Sequence, residues 1–518
     1  MKKVLALMLG SMLLFSLAGC SQSANAPQTV SKQNQTLIVA TAADLGTIDP
    51  GVAMDNAAWK ISYPAYDRLV NYKGNSTEVE PSLAKSWDIS VDGLMWTFHL
   101  RDDVKFADGG SLDAAAVKFS FDRLMKIKKG PSENFPGLEN VTVVDPHTVQ
   151  FKLKTVFPPF LSTLATNGGD IVNPAVMKNE KDGDMGQNWL ANHTAGSGPY
   201  ILAEWLPEQS LKLTENPNYW GVKPKLDTVV IKIIKDPSAQ RMALEKGDVD
   251  IAENIPVDQL KELKKNPDLV VSESPSLMVD YVYLNTQKPE LKNPKVRQAI
   301  SYAVDYQGII NNVWQGNATQ MRGPIPQGLW GYQSDLFQYS RNVEKAKALL
   351  QEAGVNNLTL TLIYSDNKAW WEQDAQIIQN NLAEVGIKVN LQKLAYATQR
   401  EKIDKGDFEL TLGVWSPDFA DPYMFMNYWF DSKNFGLAGN RAFYKNEQVD
   451  KLLREAVSIN DQAKRIELYK QAQTIIMQDA PYVFLVQKNY QLPMRKSVQG
   501  FIFNPMLQDM YNFQSMSK

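Results

Sequence analysis

The chain carries 518 residues, with 54 Lys and Arg against 57 Asp and Glu, a formal net charge of −3 and a single cysteine. No basic block stands out of this mildly acidic balance, so nucleic-acid binding has no electrostatic support, and one cysteine excludes a disulfide framework. The length exceeds what one hydrophobic core usually supports, so two or three domains are expected.

Met1-Lys2-Lys3 is followed by an apolar run from Val4 to Ala18 that closes on Leu17-Ala18-Gly19-Cys20. A basic start, a short apolar stretch and small residues before a cut site make a secretory signal over residues 1–19. The run is too short for a permanent membrane helix of roughly 20 residues. Its end resembles the bacterial lipobox, which implies cleavage before Cys20 and acylation of that cysteine. The exported chain would then hold no stray thiol in an oxidising compartment. Loss of Lys2 and Lys3, with no acid removed, takes the formal charge from −3 to −5. Residues 20–35 are small and polar without an aromatic, too poor in apolar surface to fold, and read as a flexible tether.

Ordered structure is expected from Thr36-Leu37-Ile38-Val39-Ala40. Trp96 to Leu100 alternates as a strand after the turn Val91-Asp92-Gly93, and Ser111 is the expected N-cap of a helix through Leu124. Val141–Val144 and Thr148–Leu153 flank Asp145-Pro146 as a hairpin. Strands are expected near Tyr200–Glu204, Leu211–Glu215 and Val229–Ile234. A short helix over Ser238–Lys246 then leads back to a strand at Ile251. Asn293-Pro294-Lys295 opens a helix through Val304. A βαβ-like unit runs from Leu358–Tyr364 through a helix at Asp374–Val385 to Ile387–Lys393, and the strand Phe408–Trp415 follows. Two helices, Asn446–Ile459 and Asp461–Gln478, precede a closing strand at Pro481–Val486. Alternating strands and helices make the fold class α/β. The 12 Trp, 20 Tyr and 20 Phe serve mostly as core, with enough left over to wall a ligand cavity.

Catalytic signatures are sparse. His99, His147 and His193 are scattered, and no HExxH, Cys-His cluster or EF-hand ladder is present, so no protein-built metal site and no cofactor are expected. Gly196-Ser197-Gly198 lacks the spacing of a nucleophile elbow, and no Gly-rich phosphate loop occurs. The informative stretch is Gly413-Val414-Trp415-Ser416-Pro417-Asp418-Phe419-Ala420-Asp421-Pro422-Tyr423-Met424-Phe425, in the loop after a strand end, where α/β sheets place ligands. As glycosidase carboxylates, Asp418 and Asp421 would need about 5 Å or more between them, so a secreted hydrolase is disfavoured. Asp421 before Pro422 reads as an N-cap. Asp418 either accepts turn hydrogen bonds or meets a ligand ammonium, which Trp415 would assist by cation–π contact.

Several long segments resemble the hallmark blocks of the family 5 extracellular solute-binding proteins, the dipeptide-, oligopeptide- and nickel-binding components of ABC importers. They are Glu80–Trp87, Asp92–Arg101, Val104–Gly109, Gly196–Tyr200, Asn216–Trp220, Asn293–Ile300 and the run from Glu467 to Tyr482. The resemblance implies a two-lobed periplasmic-binding-protein-like fold with a hinge and an additional α/β subdomain. Lobe I would be built from residues 36–75, 196–285 and 489–518, the extra subdomain from 76–195, and lobe II from 286–488. It implies a receptor rather than an enzyme, monomeric, closing on a peptide or other amine-bearing solute and delivering it to permease and ATPase subunits. The lipid at Cys20 would hold it extracytoplasmically at the membrane. A receptor for a nickel chelate is the alternative within the family.

In the family's peptide binders, a Trp followed three residues later by an Asp carries recognition, the Asp pairing with the peptide ammonium. Those positions match Trp415 and Asp418. The pocket also draws on a later segment that here reads Gly439-Asn440-Arg441, which adds Asn440 and Arg441 as candidates. The family's arginines for the peptide carboxylate fall on Leu412 and Ser365, so the clamp is displaced. Arg441 is the substitute candidate, because a guanidinium binds carboxylate bidentately. Trp370 and Trp371, beside Lys368, are candidates to floor the cavity.

Overall fold

The computed structural model describes residues 35–518. The signal segment, nearly all of the tether and Cys20 lie outside the described residues. Among the described residues no helix is long and apolar enough to cross a membrane.

The largest sheet is organised by two long antiparallel strands, Leu269–Leu284 and Tyr482–Arg495. On one side lie Leu410–Trp415, Thr359–Ser365 and Lys388–Leu394, in that order outward. On the other lie Ile251–Ala252, Thr36–Thr41, Thr228–Ile233, Ser210–Glu215 and Tyr200–Leu206. The βαβ unit is present: Thr359–Ser365 pairs in parallel with Lys388–Leu394, with the helix Trp371–Glu384 between them in sequence.

The long strands change character midway. Leu269 to Pro275 pair with Arg495 to Asn489, and the register then shifts before Val279 pairs with Gln487. Polar side chains bridge the break. Ser276 donates its hydroxyl to the Lys488 carbonyl at 2.6 Å, and Gln487 donates to the carbonyls of Ser276 and Gln327 at 2.7 and 2.8 Å. This explains two departures from the sequence reading. The expected strand Pro481–Val486 runs on to Arg495 through polar residues, and Leu269–Leu284, interrupted by Ser272, Glu273, Ser274 and Pro275, carries no clean apolar alternation. Side-chain hydrogen bonds there take the place of ladder bonds.

A separate antiparallel sheet has the order Ala84–Ile89, Met95–Leu100, Thr148–Leu153, Leu138–Asp145. Trp96, Phe98 and Leu100 point inward by strand alternation, and the helix Ala114–Ile127 packs Phe121 edge-on against Phe151 at 4.8 Å. The cap of that helix is Asp113, which accepts from the Ala115 and Ala116 amides. Ser111 stands two residues before that cap, in extended chain bridged to Lys105. This sheet is tied to the loop after the first strand by Arg123, which donates to both carboxylate oxygens of Asp49 at 2.8 and 2.6 Å with both side chains buried.

Removing one partner of a buried ion pair leaves an uncompensated charge, a loss of about 3–5 kcal/mol. Asp49→Ala should therefore lower the unfolding free energy by that amount in urea denaturation. A loss under about 1 kcal/mol would show that Arg123 finds water or another acceptor.

Candidate functional site

Leu410–Trp415 delivers the chain to the loop through a close approach: a Cβ at Gly413 would lie 2.1 Å from the Tyr283 ring. Beyond it the two carboxylates separate. Asp421 caps the short 3-10 turn Pro422–Met424, accepting from the Tyr423 amide at 2.8 Å. Its stronger partner is Arg465, which reaches both oxygens at 2.7 and 3.0 Å inside the protein. Burial pushes the Asp421 carboxyl up and the Arg465 guanidinium opposes that shift. Asp421 is thus a structural anchor as well as the expected cap.

Asp418 has no such partner among the described residues. Burial pushes its carboxyl up to about 6, with the charge of exposed Glu133 adding to the shift. It lines a small cavity of about 260 Å3 empty volume, together with Trp59, Tyr63, Arg68, Asn167 and Met506. Asp418 comes from one half of the main sheet. The 59–68 segment and Met506 come from chain flanking strands of the other half, so the cavity lies between the halves. Arg68 is committed elsewhere: it donates to Asp170 at 2.7 Å and to Asn71 at 3.1 Å, and its guanidinium lies over the Tyr63 ring at 4.2 Å. None of Trp59, Tyr63, Arg68 or Asn167 was singled out by sequence, because their convergence on Asp418 is purely tertiary.

Trp415 and Arg441 meet around a neighbouring aromatic stack and are not part of the cavity wall. The Trp415 ring stacks on Tyr428, with centroids 5.4 Å apart, and meets the edge of Trp429 at 4.9 Å. The Arg441 guanidinium lies 4.6 Å from the Trp429 ring centre and 5.8 Å from that of Tyr283. It donates to the Leu437 carbonyl at 3.0 Å and has no carboxylate partner among the described residues. Tyr428 lies within electrostatic reach of both ends. Burial pushes its phenol up, Asp418 reinforces that shift and Arg441 opposes it. Asn440 is 0% exposed, and its side chain is consumed by its own loop, donating to the Tyr444 carbonyl at 2.8 Å and accepting from the Tyr444 amide at 3.0 Å. It shapes the turn that presents Arg441.

Neither Trp370 nor Trp371 lines this cavity, and Trp370 lies over a buried charged cluster beside the crossing strands. Lys488 pairs with Asp280 at 3.1 Å, with side chains 3% and 1% exposed. The Lys488 ammonium sits 4.3 Å from the Trp370 ring centre and 4.7 Å from that of Trp314. Asp374, also buried, has neither oxygen hydrogen-bonded to protein. Burial drives its carboxyl well above the usual range, Asp280 adds to this and Lys488 opposes it. Ser365, where the family's arginine would stand, is buried and hydrogen-bonded to Asn367. Among the described residues no group of three or more His, Cys, Asp or Glu is placed to hold a metal ion.

A carboxyl whose folded pKa is raised favours the protonated fold, so its contribution is present in acid and is lost as pH rises from about 4 towards its folded value. Asp374→Asn removes that cost. The variant should gain at least about 1 kcal/mol over the parent at pH 8 and less at pH 5 in paired thermal unfolding. Destabilisation at pH 8 would mean that Asp374 is paired and ionised.

Comparison with known proteins places this geometry. Residues 78–436 match the bacterial extracellular solute-binding proteins, family 5. The chain is 50% identical over 486 residues to the probable D,D-dipeptide-binding periplasmic protein DdpA of Escherichia coli, covering 93% of this chain and 94% of that protein. The structure of DppA from Helicobacter pylori in complex with the peptide STSA is 30% identical, with a TM-score of 0.79 over 94% of this chain and 99% of that one. HbpA2 from Haemophilus parasuis is 30% identical, with a TM-score of 0.84 over 93% and 99% of the two chains. The two halves of the main sheet are accordingly the lobes of a periplasmic-binding-protein-like α/β fold, and the hydrolase reading of Asp418 and Asp421 is closed. With half of the chain or more matched and the fold shared from end to end, the protein belongs to the family 5 extracellular solute-binding proteins of ABC importers, a family of receptors and not of enzymes.

Proposed function

We propose that the protein is an extracytoplasmic receptor for a short peptide bearing a free ammonium, a dipeptide in the first instance. It is held to the membrane through acylated Cys20 and delivers its solute to the permease of its importer. The observation that carries the solute class is Asp418, a carboxylate without a protein partner in a small cavity between two lobes. An ionised carboxylate withdrawn from water needs a compensating cation, and a solute ammonium supplies one where the protein does not. Only about 10 Å3 of the cavity is open to the centre of a water-sized sphere, room for a single water, so a solute enters only when the lobes part. The 50% identical relative, named for D,D-dipeptides, makes D-alanyl-D-alanine the first probe. Closure follows if solute contacts favour the closed arrangement, and we place the hinge at the register break between Pro275 and Val279. The solute's carboxylate would be met by Arg441 if Tyr428 and Trp415 part on binding, because that guanidinium has no carboxylate partner among the described residues.

Asp418→Asn should weaken D-alanyl-D-alanine binding by at least about 2 kcal/mol, roughly thirtyfold, in isothermal titration calorimetry. N-acetylation of the peptide should cost a similar factor. Equal affinity for free and acetylated peptide would remove Asp418 from ammonium recognition. Since the empty site holds the Asp418 carboxyl at about 6 and its ionised form binds the protonated amine, affinity should be greatest near pH 7 and decline above about pH 8, where the peptide's own ammonium loses its proton. Below pH 6 it should fall towards tenfold per pH unit. An affinity independent of pH between 5 and 8 would contradict this linkage.

A further inference from the structure

Asn167 faces the same cavity as Asp418 and is only 5% exposed. Its Nδ2 donates to the Ala53 carbonyl at 2.7 Å. That bond fixes which end of the amide is which, because only the NH2 end can donate to a carbonyl. The other end, Oδ1, is then an acceptor turned away from Ala53, and it is buried with no protein donor. Everything around it is rigid. Ala53 sits in a turn whose amides bond back to Asp49, the carboxylate clamped by Arg123. On the other flank, a Cβ at Gly169 would lie 2.2 Å from the Leu164 carbonyl oxygen, and Asp170 is held by Arg68. An amide oxygen left unpaired inside a protein is destabilising, and a fixed scaffold cannot relax to satisfy it.

We propose that Asn167 is a second recognition residue for the solute, its Oδ1 accepting a hydrogen bond from the same ammonium that Asp418 neutralises. The inference rests on the reading of Asp418 given above and extends it. An ammonium carries three donors and no acceptor, so the paired acceptors Asp418 and Asn167 select a primary amine by hydrogen bonding as well as by charge. Asp418 brings the charge from lobe II. Asn167 brings a neutral acceptor from the chain between residues 165 and 170, packed against lobe I. Contact of one ammonium with both ties the two sides of the cleft together, and Asn167 thereby favours the closed arrangement. A solute with a secondary or tertiary amine keeps the charge but loses donors, and it should be discriminated against through Asn167 in particular.

The test compares Asn167→Ala with Asn167→Asp, using D-alanyl-D-alanine as the probe at pH 8 in calorimetry, with Asp418→Asn as the reference. Asn167→Ala removes both the acceptor and the bond to Ala53. Asn167→Asp also removes the donor to Ala53, but it keeps an acceptor oxygen on that side chain and adds a negative charge at pH 8. The proposal expects Asn167→Ala to bind at least tenfold more weakly and Asn167→Asp to bind within threefold of the parent or more tightly. Equal losses in the two variants would assign Asn167 to holding Ala53 and overturn the proposal. Parent-level binding by Asn167→Ala, with Asp418→Asn still impaired, would overturn it while leaving the Asp418 reading in place. Parent-level binding by Asp418→Asn as well would overturn both. Thermal unfolding of each unliganded variant confirms that the binding experiment is made on folded protein.

Discussion

Everything in this receptor is positioned by two strands that cross from one lobe to the other. Leu269–Leu284 and Tyr482–Arg495 pair along both lobes and shift register between Pro275 and Val279 and again between Asp280 and Tyr281. At the first break, side chains of Ser276 and Gln487 hold the backbone together, so the chain can change direction there without exposing unpaired amides. The buried Lys488–Asp280 pair and unpartnered Asp374 lie beside this point. The crossing therefore carries a buried charged cluster, and Trp314 and Trp370 lie over its lysine.

From this frame the loop after Trp415 acquires its meaning. Two aspartates three residues apart meet opposite fates because only one finds a cation in the fold. Arg465 neutralises Asp421 through both oxygens, while Asp418 is left to a cavity walled from the far lobe. On the proposed reading, a solute cation meets the demand that Asp418 leaves open, and the same contact favours closure. The aromatic stack of Trp415, Tyr428 and Trp429 with Arg441 forms an adjacent layer. Its guanidinium is held by rings rather than by an acid, which keeps it available to an anion.

Much of the scaffold was legible because it is written in local signals. Helix starts at Asn293-Pro294 and Asn446, the Asp421 cap and the parallel βαβ unit all follow from residues within a few positions of one another. What escaped reading depends on distance. The partner of Asp421 lies 44 residues away, and the Asn167 amide is oriented by a carbonyl 114 residues away. Ser111 carried the right chemistry for a cap and lost the role to Asp113 because the helix starts only at Ala114, with Ser111 still in extended chain bridged to Lys105. The strand Leu269–Leu284 was invisible for the opposite reason: Ser272, Glu273, Ser274 and Pro275 interrupt it, so the usual apolar alternation is absent. Trp415 and Asp418 were singled out by local chemistry and again by the family resemblance, and the fold sets Asp418 on the cavity wall and Trp415 in the stack with Tyr428.

The central claim is that Asp418 waits for the ammonium of a small solute. Native mass spectrometry of the receptor purified without denaturation from its own cell envelope tests it most directly, with the released solute identified in a second stage. The account predicts a bound species of dipeptide mass that carries a free primary amine and is lost from Asp418→Asn prepared in parallel. A bound metal chelate, or a solute without an amine retained equally by both proteins, would contradict it.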